Sequence, residues 1–309
     1  MSIVVVGSLA LDSVETQFGS VREALGGSGA FFALGARLFC PVELVAVVGR
    51  DFPPEHLELL REHGVGLSHV EHADGETFRW GGRYRDDGEE RDTLFTHLNV
   101  FEGWVPDLPQ ALRQSPHLFL ANLDPDIQSG VLGQVEEHDW VACDTMNLWI
   151  ETKRDLLVHT LGSVDICILN DGEARLLAGG DRNLITAGRR ILAMGPEIVV
   201  IKKGEHGALM MTAESTFVAP SLPLEEVRDP TGAGDTFAGG FLGYLASTGQ
   251  RDSQTLRRAV AYGTAAASFC VEQFSVQGLV GLTRQQIDER ARELQALSAF
   301  DLVVEPARP

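Results

Sequence analysis

The segment Arg228-Asp229-Pro230-Thr231-Gly232-Ala233-Gly234-Asp235-Thr236-Phe237-Ala238-Gly239-Gly240 holds the residues best suited to chemistry. Pro230 and Gly232 interrupt the extended pattern before them, and an apolar helix begins near Gly234. A Gly-Ala-Gly entry leaves backbone N–H groups at a helix N-terminus with no bulky side chain over them. Such an end attracts anions through its free donors and the positive end of the helix dipole. Asp235 then falls in the first turn, where its charge would repel the anion. Taking a proton from a hydroxyl that attacks a bound phosphate is one reason for it to be there. Capping the helix, with the glycines serving packing, is the other.

The elements around this segment are those that would hold it rigidly. Ile3–Val6, Val42–Val48, His117–Leu120, Trp140–Cys143, Asp165–Leu169 and Ile198–Ile201 read as strands apolar on both faces. Helical patterns lie between them at Pro54–His63, Thr152–Leu161, Asp171–Ala178 and Asn183–Met194. That alternation predicts an α/β fold, a doubly wound and mostly parallel sheet with helices on both faces. A hairpin follows, Ala208–Thr212 with Thr216–Ala219, then helices near Ala233–Ser247, Gln254–Val271 and Arg284–Leu297. Ala10–Phe18, Thr77–Arg85 and Arg91–His97, the last two around the turn Asp86–Glu90, are strand-like and break the rhythm. We expect one domain over residues 1–309, with a small β-sheet lid from about 10–25 and 75–98.

Composition narrows the partners. The chain has 309 residues, with 44 acidic against 25 basic, a formal charge of −19. So negative a surface repels nucleic acid and anionic membrane, and neither is expected as a partner. Cys40, Cys143, Cys167 and Cys270 are scattered in apolar contexts and read as buried free thiols, which suits a cytoplasmic protein. Met1–Gly7 has no basic region ahead of its apolar run and is not expected to be a signal peptide. Ala259–Val271 is too short to span a bilayer and reads as a buried helix. His69 and His72 read as solvated residues of a polar loop.

The Asp229–Asp235 string resembles the signature of the ribokinase-like (PfkB) family of carbohydrate and nucleoside kinases. Other matches follow in family order along nearly the whole chain. By that resemblance Gly232, Ala233 and Gly234 form an anion hole and Asp235 is the catalytic base. Gly26, Gly27 and Ser28, in Gly26-Gly27-Ser28-Gly29-Ala30, resemble the Gly-Gly signature that approaches the substrate. Asp12 resembles the acidic residue that binds acceptor hydroxyls. Asn170 and Glu173 match an Asn-x-x-Glu motif near Mg²⁺ and the phosphates, with Glu173 acting on the metal indirectly. Asn-x-x-Glu opening a helix is also an ordinary cap, with the Glu bonding back. Lys202, Gly204 and Gly207 match a turn lining the nucleotide site, and Ala265, in Ala265-Ala266-Ala267, the small-residue helix under the adenine. Asp229 and Thr231 match part of a monovalent-cation (K⁺) site. ATP and Mg²⁺ are thus the implied cofactors.

The chain departs from ribokinase at Ser28–Phe32, which lacks Lys-Gly-Ala-Asn. Asp144-Thr145-Met146-Asn147 is one residue longer than the family's Asp-x-Asn string and receives no role. No Gly-x4-Gly-Lys-Ser/Thr loop, His-Arg-Asp with Asp-Phe-Gly, or Gly-x-Gly-x-x-Gly after the first strand is present. In-line transfer from ATP to an alcohol follows, with the lid excluding water. A sugar or polyol is the first expectation for the acceptor and a nucleoside the second; a catalytically idle metabolite-binding regulator is a third reading. Asp12 suits a polyhydroxylated acceptor. Phe31 and Phe32 could stack on a base, or be core. Arg79, Arg83 and Arg85 could hold a sugar phosphate, or form the wet face of a strand. The lid's aromatic face could pair two copies into a homodimer.

Overall fold

Short runs of Val, Ile and Leu that are apolar at every position need cover on both sides. β1 (Ile3–Val6) sits that way: Ile3 and Val5 enter one core cluster, Val4 and Val6 the other, and all are fully buried. The computed structural model describes residues 2–85 and 91–300, so the expected turn Asp86–Glu90 lies outside the described residues. On one side of β1 lie β4 (Val42–Val48) and β5 (Val65–His72). On the other lie β8 (His117–Leu120), β9 (Trp140–Asp144), β10 (Ile166–Asn170) and β11 (Ile198–Lys202), all parallel. The hairpin β12 (Ala208–Met211) and β13 (Thr216–Ala219) adds an antiparallel edge, giving nine strands in the order β13-β12-β11-β10-β9-β8-β1-β4-β5. The chain runs outward from β1 to β4 and β5, then returns past β1 to β8. In open α/β sheets such a reversal leaves a crevice at the carboxyl ends of the strands.

A second sheet of four strands, ordered β3-β2-β6-β7, is built from β2 (Ala10–Thr16), β3 (Gly19–Gly26), β6 (Arg79–Tyr84) and β7 (Arg91–His97). Its two hairpins are antiparallel, and β2 and β6 join them in parallel. The sequence pattern put 10–25 in the lid without marking β3 as a strand of its own, since Arg22-Glu23 spoils the alternation and Glu23 has φ 48, in the left-handed region. It also placed His69 and His72 in a loop. They lie on β5, paired with Val45 and Val48 of β4, and that strand reads as polar because it is the open edge of the sheet.

Three helices pack behind the candidate site. α1 (Ser28–Ala36) is buried at every position, and α9 (Ala233–Thr248) packs against it on one side and against α10 (Ser253–Val271) on the other. Gly239 and Gly240 allow that closeness, since an added Cβ would stand 2.4 Å from the Phe32 carbonyl and 2.8 Å from the Tyr262 carbonyl respectively. Among the described residues no helix is long and apolar enough to cross a membrane.

Candidate active site

The carboxyl ends of the parallel strands and the start of α9 meet at one place. Gly232 caps α9 with φ 75, and an added Cβ there would stand 2.3 Å from the Phe31 ring, so only glycine fits. The Ala233 N–H turns back to the Pro230 carbonyl (3.2 Å), and the Thr236 N–H makes the first helical bond, to Gly232 (2.8 Å). Gly234 and Asp235 therefore stand at the open end of the helix. An added Cβ on Gly234 would lie 3.0 Å from Lys202 Nζ, so the lysine amine reaches the mouth of the helix.

Lys202 ends β11 and binds Asp144 Oδ2 at 2.7 Å, across from the end of β9. Asn170, at the end of β10, and Glu173 form a capping box on α7 (Asp171–Leu177). Asn170 Oδ1 accepts from the Glu173 N–H (2.8 Å), and Glu173 Oε2 accepts from the Asn170 N–H (2.7 Å). The motif is therefore a cap, and it also holds a buried carboxyl beside Lys202. Burial and the Asp144 charge push Glu173 up to about 7, against the pull of Lys202. Burial likewise raises Asp235 to about 7, with Asp144 adding and Lys202 and Arg91 opposing. Lys202 is held above its usual value by Asp144, Glu173 and Asp235, although burial works the other way.

On the far side, β2 presents Asp12, which is 7% exposed. Burial raises it to about 7; the Gly27 N–H and Arg91 pull it down, and Asp229 and Asp235 push it up. An added Cβ at Gly26 would stand 1.9 Å from Asp12 Oδ2, so this glycine makes room for the carboxylate. Ser28 and Ser8 exchange hydrogen bonds, Ser28 N–H to Ser8 Oγ at 3.0 Å and Ser8 N–H to Ser28 Oγ at 3.3 Å, fixing the start of α1. Asp12 on β2 and Asp235 at the start of α9 thus stand close enough for the charge of one to raise the other.

The second sheet is tied to the loop before α9. Asp229, 1% exposed, accepts from the Thr231 N–H and from the Ser275 N–H, each at 2.9 Å. Ser275 Oγ donates to the Leu25 carbonyl of β3 (2.6 Å), and Thr16 Oγ1 to the Arg228 carbonyl (2.9 Å). Thr231 Oγ1 donates to the Tyr84 hydroxyl of β6 at 3.2 Å.

Other expected residues serve the core, a turn or ion pairs. Phe31 and Phe32 are core, 2% and 0% exposed, with Phe32 stacked on Phe119 at 4.4 Å. Ala265 is 1% exposed and belongs to the core cluster. Gly204 and Gly207, with φ 53 and 80, shape the turn between β11 and β12. Arg79 pairs with Asp51 (2.6 Å) and Glu23 (3.2 Å), Arg83 with Glu15 (2.7 Å), and Arg85 with Asp92 (2.9 Å), so each already faces a carboxylate. The sequence reading missed two residues. Asp144 is 3% exposed and anchors Lys202. Arg91, opposite Tyr84 in the β6–β7 ladder and over the Trp80 ring, acts on Asp12, Asp235 and Glu173. Asp144 ends a strand whose neighbours also end in polar residues, a signal available in the sequence; Arg91 had none.

Residues 2–280 match the pfkB family of carbohydrate kinases. The cytidine kinase of Thermococcus kodakarensis is 31% identical over 248 residues, covering 78% of this chain and 87% of the relative. The nucleoside kinase of Methanocaldococcus jannaschii superposes with a TM-score of 0.77 at 21% identity, over 94% of this chain and 98% of that one. A protein taken to be ribokinase II of E. coli, in complex with ATP and Mg²⁺, gives 0.78 at 20% identity over 94% and 99%. The carboxyl-edge cleft belongs, then, to a ribokinase-like fold, and the chain is a member of the pfkB family of kinases, which are phosphotransferases with an alcohol group as acceptor.

Proposed function

We propose that Asp235 takes the proton of an acceptor hydroxyl while that oxygen attacks the terminal phosphoryl group of ATP. The acceptor O–P bond forms, ADP leaves, and the proton stays on the Asp235 carboxyl. The observation that carries this is the placing of a raised, ionisable carboxyl at the mouth of a helix N-terminus, with the Lys202 amine beside it. A base with a value near working pH transfers protons efficiently. Gly232, Ala233 and Gly234 supply the helix end for the transferring phosphoryl oxygens, and Lys202 a compact charge beside them. Asp144 holds that amine in place.

Among the described residues no group of three or more His, Cys, Asp or Glu is arranged to hold a metal. This fits Mg²⁺, which commonly rests on phosphates, waters and one or two carboxylates. The raised Glu173 beside Asp144 is a surplus of buried negative charge that a cation would relieve. When bound, Mg²⁺ would neutralise phosphate charge there, with Asn170 and Glu173 orienting its shell. Asp229 is also a buried, raised carboxyl, and none of the groups that shift it is cationic. K⁺ beside Asp229 and Thr231 would supply that counter-charge and stiffen the loop before α9.

Asp12 would bind hydroxyls of the acceptor, set in place by Gly26, Gly27 and Ser28. The four-stranded sheet would act as the lid of a single α/β domain, closing through Tyr84 and Arg91. The acceptor is uncharged on this reading: Asp12 and Asp235 face it, and Arg79, Arg83 and Arg85 are committed to carboxylates. Four buried free cysteines support a reducing cytoplasm. Coupled ATP consumption with Mg²⁺ against free sugars, polyols, sugar phosphates and nucleosides tests the function. Turnover on an uncharged acceptor is expected; turnover on sugar phosphates alone would overturn the uncharged-acceptor reading.

A further inference from the structure

The strand order reverses between β1 and β8, and there the cleft carries a group of side chains not yet given work. Asn122 lies two residues past the end of β8. Its Oδ1 accepts from the Trp149 indole N–H at 3.2 Å, and its Nδ2 donates to the Met146 sulfur at 3.3 Å. All three side chains are half-buried. Behind them Gln128 Nε2 donates to the Ala121 carbonyl (3.0 Å) and the Asp144 carbonyl (2.9 Å), locking the tips of β8 and β9 together. The Thr145 hydroxyl, between Asp144 and Met146, is buried without a partner among the described residues.

This group lies on the acceptor side. Ala121 donates its N–H to the Val6 carbonyl at 3.0 Å, and an added Cβ on Gly7 would stand 2.7 Å from Gly29 Cα and 3.2 Å from Ala121 Cβ. Asn122 is thus next to the Gly7–Ser8 and Gly27–Gly29 turns that support Asp12, whereas Lys202 and Glu173 lie beyond Asp144, on the phosphate side. An acceptor held by Asp12 and Asp235 would extend its far end toward Asn122.

An indole and a thioether make an apolar, polarisable platform, suited to the face of a flat ring. The amide has two donor hydrogens and two acceptor lone pairs, and a thioether is a weak acceptor. One N–H and one lone pair therefore remain on that amide, a donor and an acceptor that a nucleobase edge could meet. We infer that Asn122, Met146 and Trp149 form a nucleobase subsite and that the acceptor is a nucleoside. This rests on the kinase reading above and narrows it.

The test compares kcat/KM for cytidine, adenosine and free ribose in the wild type and in Asn122→Leu, Trp149→Leu and Trp149→Phe, with circular dichroism confirming the fold. We expect the wild type to prefer one nucleoside over ribose. Asn122→Leu and Trp149→Leu should lose roughly 10–100-fold on that nucleoside, mostly in KM, while KM for ATP holds; Trp149→Phe, which keeps a ring, should lose less. Wild-type preference for ribose would overturn the subsite and leave the kinase standing. So would variants that lose nucleoside and ribose turnover equally. Should the Leu variants fail to fold, Trp149→Phe and the wild-type preference still decide. A wild type that transfers phosphate to no acceptor, while binding ATP, would instead overturn the kinase reading itself.

Discussion

A methyl group added at Gly26 would stand 1.9 Å from Asp12 Oδ2, closer than any contact allows. Gly26→Ala must therefore move the carboxylate, and we expect KM for the acceptor to rise about tenfold or more while KM for ATP holds. Equal losses on both substrates would count against an acceptor role for Asp12. Asp235 must be ionised to take a proton, so the acid limb of the rate profile should fall near about 7. Lys202 pulls Asp235 down, so Lys202→Met should shift that limb to higher pH as well as lowering the rate. A limb left in place would mean that the lysine does not act on the base. At this scale the sequence was legible where chemistry demands a contiguous string, as from Asp229 to Asp235. It was silent where partners come from distant strands: Asp144 meets Lys202 only because β9 and β11 both flank β10 in the folded sheet.

The elements came through nearly whole because their patterns are simple. β1, β4 and β8 occupy the residues expected, since strands buried on both faces are apolar throughout. The expected helix over Thr152–Leu161 is α6 (Arg154–Leu161), which starts two residues later because a separate helix, α5 (Asn147–Thr152), precedes it and the two are broken at Lys153 with φ −135. That break follows from tertiary pairing the sequence does not display: Lys153 reaches Asp124 and Asp126 on the start of α4 (Pro125–Leu132). β3 and β5 were not marked as strands because an open edge tolerates polar residues. Asp229 joins the loop before α9 to the turn at Ser275 through two N–H bonds. Asp229→Ala would leave both donors buried and unpaired, and we expect a loss of about 2–4 kcal/mol in urea unfolding. A change under about 0.5 kcal/mol, the size of an ordinary surface substitution, would show that the bracket is not needed.

For the whole molecule, buried carboxyls that favour chemistry oppose folding. Asp12, Asp235 and Glu173 each lie at about 7 in the folded chain, raised from 3.8 for the aspartates and 4.5 for the glutamate. Their contribution to stability is complete below the lower values and is lost as pH climbs through about 7. Ligand-free protein should therefore lose stability from this cluster between about pH 4 and 7 in thermal melts, and Mg²⁺ with ATP should recover more at the higher pH. The opposite trend would place the carboxyls elsewhere than in one shared, desolvated site. By the same reasoning Asp235→Asn should be more stable than the wild type near pH 8, by roughly 1–2 kcal/mol, as when a strained functional site is relieved. The most direct test of the account is phosphoryl transfer by that variant. Asp235→Asn should bind ATP as the wild type does and lose roughly 10²–10⁴-fold in turnover, the usual worth of a general base. Turnover close to wild type would contradict the assignment of Asp235 as the base.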